Sequence, residues 1–127
     1  DIEIVGTVSR EQAIDLFSSS DIFTAHTRKG PSTNREEAFG VSFIEAMSAG
    51  LPVVAGHSGG IPESLLHKKT AFLVEQNDVE GHSERLAELV LSAELRSNMG
   101  EAGRQHVLKN FSIEKEREAL YEILGCA

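Results

Sequence analysis

A chain of 127 residues has room for one compact domain, and its 40% apolar and 25% charged residues are enough to bury a core, which excludes a disordered chain. The single cysteine, Cys126, excludes a disulfide scaffold, and no apolar run approaches the roughly 20 residues of a membrane span. A net charge of -8 argues against a nucleic-acid partner, so an anionic ligand would have to be held by local backbone dipoles.

Ile2–Val5 alternates as a strand does and stops at Gly6; nothing there has the look of a secretion signal. Ser9 followed by Gln12 makes a capping box ahead of a helix with Ala13, Ile14 and Phe17 on its apolar stripe. Asp21–Ala25 reads as a second strand. The polar stretch from His26 to Glu37 has no periodicity, and a loop of that length is as a rule functional or mobile. Gly40–Ala49 is helical in pattern, with Val41, Ile44 and Met47 on one face and Gly50 as its stop. Leu51–Ala55 is a buried-type strand, and Pro62 opens a helix to about His67. Ala71–Val74 is a fourth strand. Asp78 caps a helix with Leu86, Leu89 and Val90 as its buried stripe. Helices near 92–109 and 113–124 follow, the last with Ile113, Leu120, Tyr121 and Leu124 on one side.

Alternating strands and helices predict an α/β fold: a truncated, doubly wound, Rossmann-like parallel sheet of about four strands, with helices on both faces and C-terminal helices. Ligands of such sheets lie beyond the carboxyl ends of the strands, and three features fall there. Glu37 and Glu45 are eight residues apart, one before a helix and one on it. Gly40 lets a ligand approach the backbone, and the free N–H groups of residues 39–42 form an anion site. The structural alternative is a helix-start charge at Glu37 and a solvated Glu45. Gly59-Gly60, between a strand and the Pro62 helix, resembles a phosphate-facing nest or, equally well, a tight turn with Glu63 as a first-turn acid. Val5-Gly6-Thr7-Val8 is a strand end where a flat base packs, a weak feature alone.

The five histidines lack metal-ligand spacing; His26 and His57 follow strands and line a cleft, while His67, His82 and His106 read as helix-surface residues. Arg28-Lys29 is a solvated basic pair or, less simply, a contact for an anionic acceptor or lipid. No Walker lysine, nucleophile elbow or dinucleotide glycine motif is present.

In order, the words VGTV (5–8), DIF (21–23), EAFGVSFIEAMSAGLPVVA (37–55), GGIPE (59–63), AFLV (71–74), MGEAGR (99–104) and FS (111–112) resemble the C-terminal half of a family 4 retaining glycosyltransferase of the GT-B fold. The resemblance covers almost the whole chain, and the glutamate pair with the following EAMSAGLPVV is its most specific part. It implies that Glu37 contacts donor-sugar hydroxyls near the reacting centre. The segment of Ala38, Phe39, Gly40 and Val41, with Gly59 and Gly60, meets the sugar and diphosphate. Glu45 takes the ribose, and Gly6, Thr7 and Val8 lie against the base. The donor is a UDP-, GDP- or ADP-linked sugar, with no cofactor and no metal. The acceptor is a glycan or lipid, in polysaccharide or glycolipid assembly. Residues 1–127 are then a partial donor-binding domain without its first two strands and without the acceptor domain. Such a piece is expected to transfer no sugar alone. The parent is expected in the cytoplasm or at the cytoplasmic membrane face. Thr24-Ala25-His26-Thr27, where the family has Pro-Ser, and the long loop after it depart from the pattern. Two other readings are a non-catalytic sugar-nucleotide or phosphate-binding module and a related phosphorylase, though the latter's lysines are not evident.

Overall fold

The computed structural model describes residues 2–27 and 37–125. In chain order they form α1 (Arg10–Ser19), β1 (Phe23–Ala25), α2 (Val41–Ser48), β2 (Val53–Gly56), α3 (Ile61–Ser64), β3 (Ala71–Val74), α4 (Val79–Leu91), α5 (Ala93–Asn110) and α6 (Ile113–Leu124). Most of the His26–Glu37 loop, with Arg28 and Lys29, and Cys126 lie outside the described residues.

The sheet is parallel, in the order β1-β2-β3, with Phe23 opposite Val53 and Val53 opposite Ala71. Central β2 is buried along its whole length. Because side chains alternate along a strand, its two faces feed two cores. Val53 and Ala55 join Phe43, Ala46 and Met47 of α2, Ile61 and Leu65, and Val107 of α5. Val54 joins Phe72 and Val74 of β3, Leu89 of α4 and Met99 of α5. Helices therefore cover both faces of a parallel sheet, the α/β class expected.

One strand of the four does not form. Ile2–Val5 is irregular, with Ile2 95% and Ile4 92% exposed. A strand is stable only when a neighbour takes its N–H and C=O groups, and among the described residues none pairs with this segment, so the sheet has three strands. The strand read over Asp21–Ala25 is three residues long, Phe23–Ala25, and Ile22 packs into the second core instead.

The capping box of α1 is present: Ser9 N–H donates to Gln12 Oε1 at 2.8 Å and Gln12 N–H to Ser9 Oγ at 3.3 Å. Gly50 closes α2 at φ 82°, its N–H on Met47 O at 2.9 Å. The buried face of α2 is Phe43, Ala46 and Met47, and Val41 is 60% exposed, so the stripe is rotated from the expected one. On α4, Leu89 is fully buried, Leu86 half-buried and Val90 exposed. The helix begun at Pro62 ends at Ser64, because Leu65 is extended and His67 bridges to Ala71. Along α6 the stripe of Ile113, Leu120, Tyr121 and Leu124 is exposed.

Candidate functional site

The segment Glu37–Gly40 enters α2 by a tight turn. Gly40 is the N-cap, with φ 77°, a left-handed conformation that costs other residues but not glycine. Its N–H donates to Glu37 Oε1 at 3.1 Å, and Phe43 N–H closes the first helical bond on Gly40 O at 3.0 Å. The half-buried Glu37 carboxylate therefore sits at the positive end of the α2 dipole, where the orphan N–H groups of the first turn gather. That position before α2 is compatible with both readings of the sequence, a helix-start charge and a group beside an anion site, and does not choose between them.

The turn is carried by the loop after β2. Gly60 N–H donates to Glu37 O at 3.0 Å, and a Cβ on Gly60 would come within 2.0 Å of Ala38 O. Ser64 Oγ lies 3.3 Å from Phe39 O. Gly60 thus spends its N–H on the turn rather than on a ligand, and its lack of a side chain lets two backbones touch. Ser58, just before the glycine pair, is buried with its hydroxyl unpartnered among the described residues.

Glu45 lies one turn into α2 and is exposed. It shares with Arg10, Ala13 and Phe17 of α1 a cleft of about 340 Å³ between α1 and α2. The Gly6-Thr7-Val8 segment leads into that helix, with Gly6 at φ 75°, Gly6 and Thr7 exposed and Val8 half-buried. Two groups of candidates are thereby brought together along α2. Glu37, Ala38, Phe39, Gly40, Val41 and Gly60 cluster at its N-terminus, and Glu45 faces α1 beside the cleft. Arg10 was not anticipated; no local pattern marks a helix-start arginine as a cleft residue.

The histidines are more engaged than their spacing indicates. His26 and His82 meet at 3.1 Å and line a pocket with Val79, Ser83 and Leu86. His82, read as a surface residue, is half-buried, and burial followed by the charge of His26 lowers its pKa. His67 accepts Leu73 N–H on Nδ1 at 2.9 Å; burial, then Lys68, Arg85 and His57, lowers its pKa as well. His106 contacts Ser64 O at 3.2 Å. His57 is exposed, and its carbonyl accepts from Gln76. Among the described residues no three His, Cys, Asp or Glu side chains gather as a metal site would.

A parallel sheet with helices on both faces defines the class of doubly wound α/β folds, whose ligands lie beyond the carboxyl ends of the strands. The family is narrower: residues 1–106 match Glycosyl transferases group 1, and the chain belongs to that family. It is 36% identical over 123 residues to the GDP-mannose-dependent monoacylated alpha-(1-6)-phosphatidylinositol monomannoside mannosyltransferase of Corynebacterium glutamicum. That match covers 97% of this chain and 32% of the relative, so the chain spans about a third of the relative's length. The GDP-mannose-dependent alpha-(1-6)-phosphatidylinositol monomannoside mannosyltransferase of Mycobacterium tuberculosis is 33% identical, covering 84% of this chain and 28% of itself. In fold, the sucrose-phosphate synthase of Thermosynechococcus elongatus superposes with a TM-score of 0.78 at 24% identity, over 94% of this chain and 29% of the synthase. The C-terminal domain of the group 1 glycosyltransferase LpcC of Francisella tularensis does so with a TM-score of 0.72 at 22% identity, over 87% of this chain and 53% of that one. The architecture is thus that of a C-terminal GT-B domain.

Proposed function

We propose that the chain is the donor-binding portion of a retaining glycosyltransferase that moves a sugar from a nucleoside diphosphate to a glycan or glycolipid acceptor. The observation that carries this reading is the Glu37 carboxylate held at the Gly40 N–H, at the N-terminus of α2. When a glycosidic bond to a nucleoside diphosphate breaks, negative charge grows on the leaving phosphate. Preorganised N–H groups and a helix dipole stabilise that charge without reorganising, and the reading therefore asks for no metal and no cofactor. In it the diphosphate lies at Phe39, Gly40 and Val41, beside Ala38, Gly59 and Gly60, and takes over the Gly40 N–H that Glu37 occupies in the ligand-free chain. Glu37 faces sugar hydroxyls at the reacting centre. Glu45 takes the ribose in the cleft beside α1, with the base against Gly6, Thr7 and Val8.

The GDP-mannose dependence of the C. glutamicum and M. tuberculosis relatives favours GDP as the nucleotide, and Anabaena HepE, 21% identical with a TM-score of 0.74, was solved with UDP-glucose. The acceptor, by the same relatives' names, is a lipid-linked inositol mannoside or a similar polyol. Such a parent works from the cytoplasmic pool of nucleotide sugars, at the membrane face where its acceptor is a lipid. No helix among the described residues is long and apolar enough to cross a membrane.

The test is an NMR titration of the chain with GDP, UDP and ADP, with Glu45→Ala as control and EDTA added at the end. Shifts at residues 6–8, 37–45 and 58–63 for one nucleotide, weakened in Glu45→Ala and unchanged by EDTA, are expected. In the parent protein Glu37→Ala should lower kcat by orders of magnitude while Glu45→Ala mainly raises KM. Full kcat in the Glu37 variant would remove Glu37 from the reacting centre, whereas a parent that binds the nucleotide and transfers no sugar would favour the non-catalytic binding module instead.

A further inference from the structure

Beneath the Glu37–Val41 turn, three elements meet in a closed circuit of polar and ring contacts. His106 on α5 begins it. Asn110 Nδ2 donates to His106 O at 2.8 Å and lies 3.0 Å from His106 Nδ1. An amide nitrogen only donates, so Nδ1 accepts, and the proton of the neutral ring sits on Nε2. Nε2 lies 3.2 Å from Ser64 O, which only accepts. Both ends of the ring therefore demand the same tautomer. Ser64 O needs this donor, because it closes α3 and a helix's last carbonyls have no partner within the helix.

From Ser64 the circuit runs upward. The single proton of its fully buried hydroxyl is shared between Ile61 O at 3.0 Å and, on the turn itself, the more distant Phe39 O at 3.3 Å. The ring of Phe39 meets Phe111 edge-on at 5.6 Å, and Phe111 meets the His106 imidazole at 5.5 Å. Phe39 is thus held twice, through its carbonyl by Ser64 and through its ring by Phe111, and both holds lead back to His106.

We propose that His106 and Ser64 are positioning residues for the donor site: they fix the Glu37–Val41 turn, and with it the Glu37 carboxylate and the N–H groups of the α2 N-terminus, without touching the donor. The inference rests on the glycosyltransferase reading for its consequence, but its geometry is separate. Phe39 is the residue between the carboxylate and the helix cap. Freeing its carbonyl lets the turn rotate and spoils the alignment of both.

The experiment uses the whole 127-residue chain, labelled with nitrogen-15. The His106 ring should show the Nε2–H tautomer at neutral pH, and Asn110→Ala should mix in the other tautomer. In the nucleotide-free chain, Ser64→Ala and His106→Ala should shift amides at 37–41 and 60–64 while those of β1–β3 stay in place. Affinity for GDP should fall roughly three- to tenfold, the weight of one hydrogen bond, and His106→Gln, whose amide also donates, should recover it. An Nδ1–H ring in the unmodified chain, or unmoved 37–41 amides in folded Ser64→Ala, would overturn the proposal. If His106→Ala does not fold, the ring signature and Ser64→Ala decide. If the unmodified chain binds none of GDP, UDP and ADP, the donor-site reading fails, while the tautomer and the amide shifts still judge the positioning.

Discussion

His26 and His82 join nitrogen to nitrogen, Nδ1 to Nδ1 at 3.1 Å, and the bonds on either side give that contact one direction. Asn77 N–H donates to His26 Nε2 at 3.1 Å, so the proton of His26 is on Nδ1 and points at His82. His82 then carries its proton on Nε2, 2.7 Å from Thr24 Oγ1, which donates on to Val54 O at 3.1 Å. The chain ties β1 to the start of α4 and has room for neither ring's second proton.

Acid should therefore weaken the fold. Burial, and then the charge of His26, holds the His82 pKa below 6.5; the nearby Asp78 carboxylate is taken up by Gly81 N–H at 2.9 Å. The unfolded chain binds protons more readily than the folded one near that pH. The stability this histidine contributes is thus complete above pH 6.5 and is lost as pH falls through the lowered folded value. His67, also lowered, acts in the same direction. Urea midpoints measured from pH 8 to 5 should fall, and His82→Gln should flatten the fall in part. A midpoint independent of pH over that range would refute it.

At the site, Gly60 and Gly40 are needed for different reasons. Gly60 has an ordinary φ of -82°, but its Cβ would stand 2.0 Å from Ala38 O, a backbone atom that cannot turn aside. Gly60→Ala should cost about 1–3 kcal/mol as an overpacked contact and move the amides of residues 37–39. Gly40→Ala meets a left-handed φ, worth about 1–2 kcal/mol, and a Cβ 2.5 Å from the Phe43 ring. Chemical denaturation of both variants, with spectra of the turn, checks the pair.

A second pair of glycines, Gly100 and Gly103 on α5, should separate by the size of the effect. Alanine in a helix interior gains about 1 kcal/mol over glycine by propensity alone. At Gly100 the added carbon would lie 2.0 Å from Gly50 O, so overpacking wins and Gly100→Ala destabilises by about 1–3 kcal/mol. At Gly103 the neighbours are Met47 Cγ at 3.2 Å and its Cβ and Sδ at 3.4 Å, contacts that need a shift of only a few tenths of an ångström, so the strain offsets the propensity gain. Gly103→Ala should therefore stay within about 1 kcal/mol of the parent chain in urea unfolding.

What the sequence made legible was local. The capping box of Ser9 and Gln12, the stop at Gly50 and the strand at Ala71–Val74 are each signalled by a few neighbouring residues, and each is where the sequence puts it. Placing Glu37 before the helix and Glu45 upon it needed only the glycine at 40. Illegible were the relations across the fold. Ile2–Val5 alternates like a strand, but alternation cannot supply a neighbour, and none stands beside it among the described residues. His82 and His106 read as surface residues because their partners are 56 and 42 residues away, His26 and Ser64. The backbone contact of Gly60 with Ala38 likewise depends on how α3 and α2 dock, which no spacing encodes.

The two apolar neighbours Leu89 and Val90 of α4 test that limit. Periodicity allows either to face the sheet, because both fall near one stripe of a helix. Docking chooses Leu89, fully buried against Val54, Phe72 and Met99, and leaves Val90 65% exposed. Leu89→Ala removes a packed side chain from the core that joins β2 and β3 to α4 and α5, and should cost about 2–5 kcal/mol. Val90→Ala removes little buried area and replaces a β-branched residue with the best helix former, so it should change stability by no more than about 0.5 kcal/mol. Equal losses in urea unfolding would mean that α4 is rotated about its axis from the position described, and would shift His82 away from His26 as well.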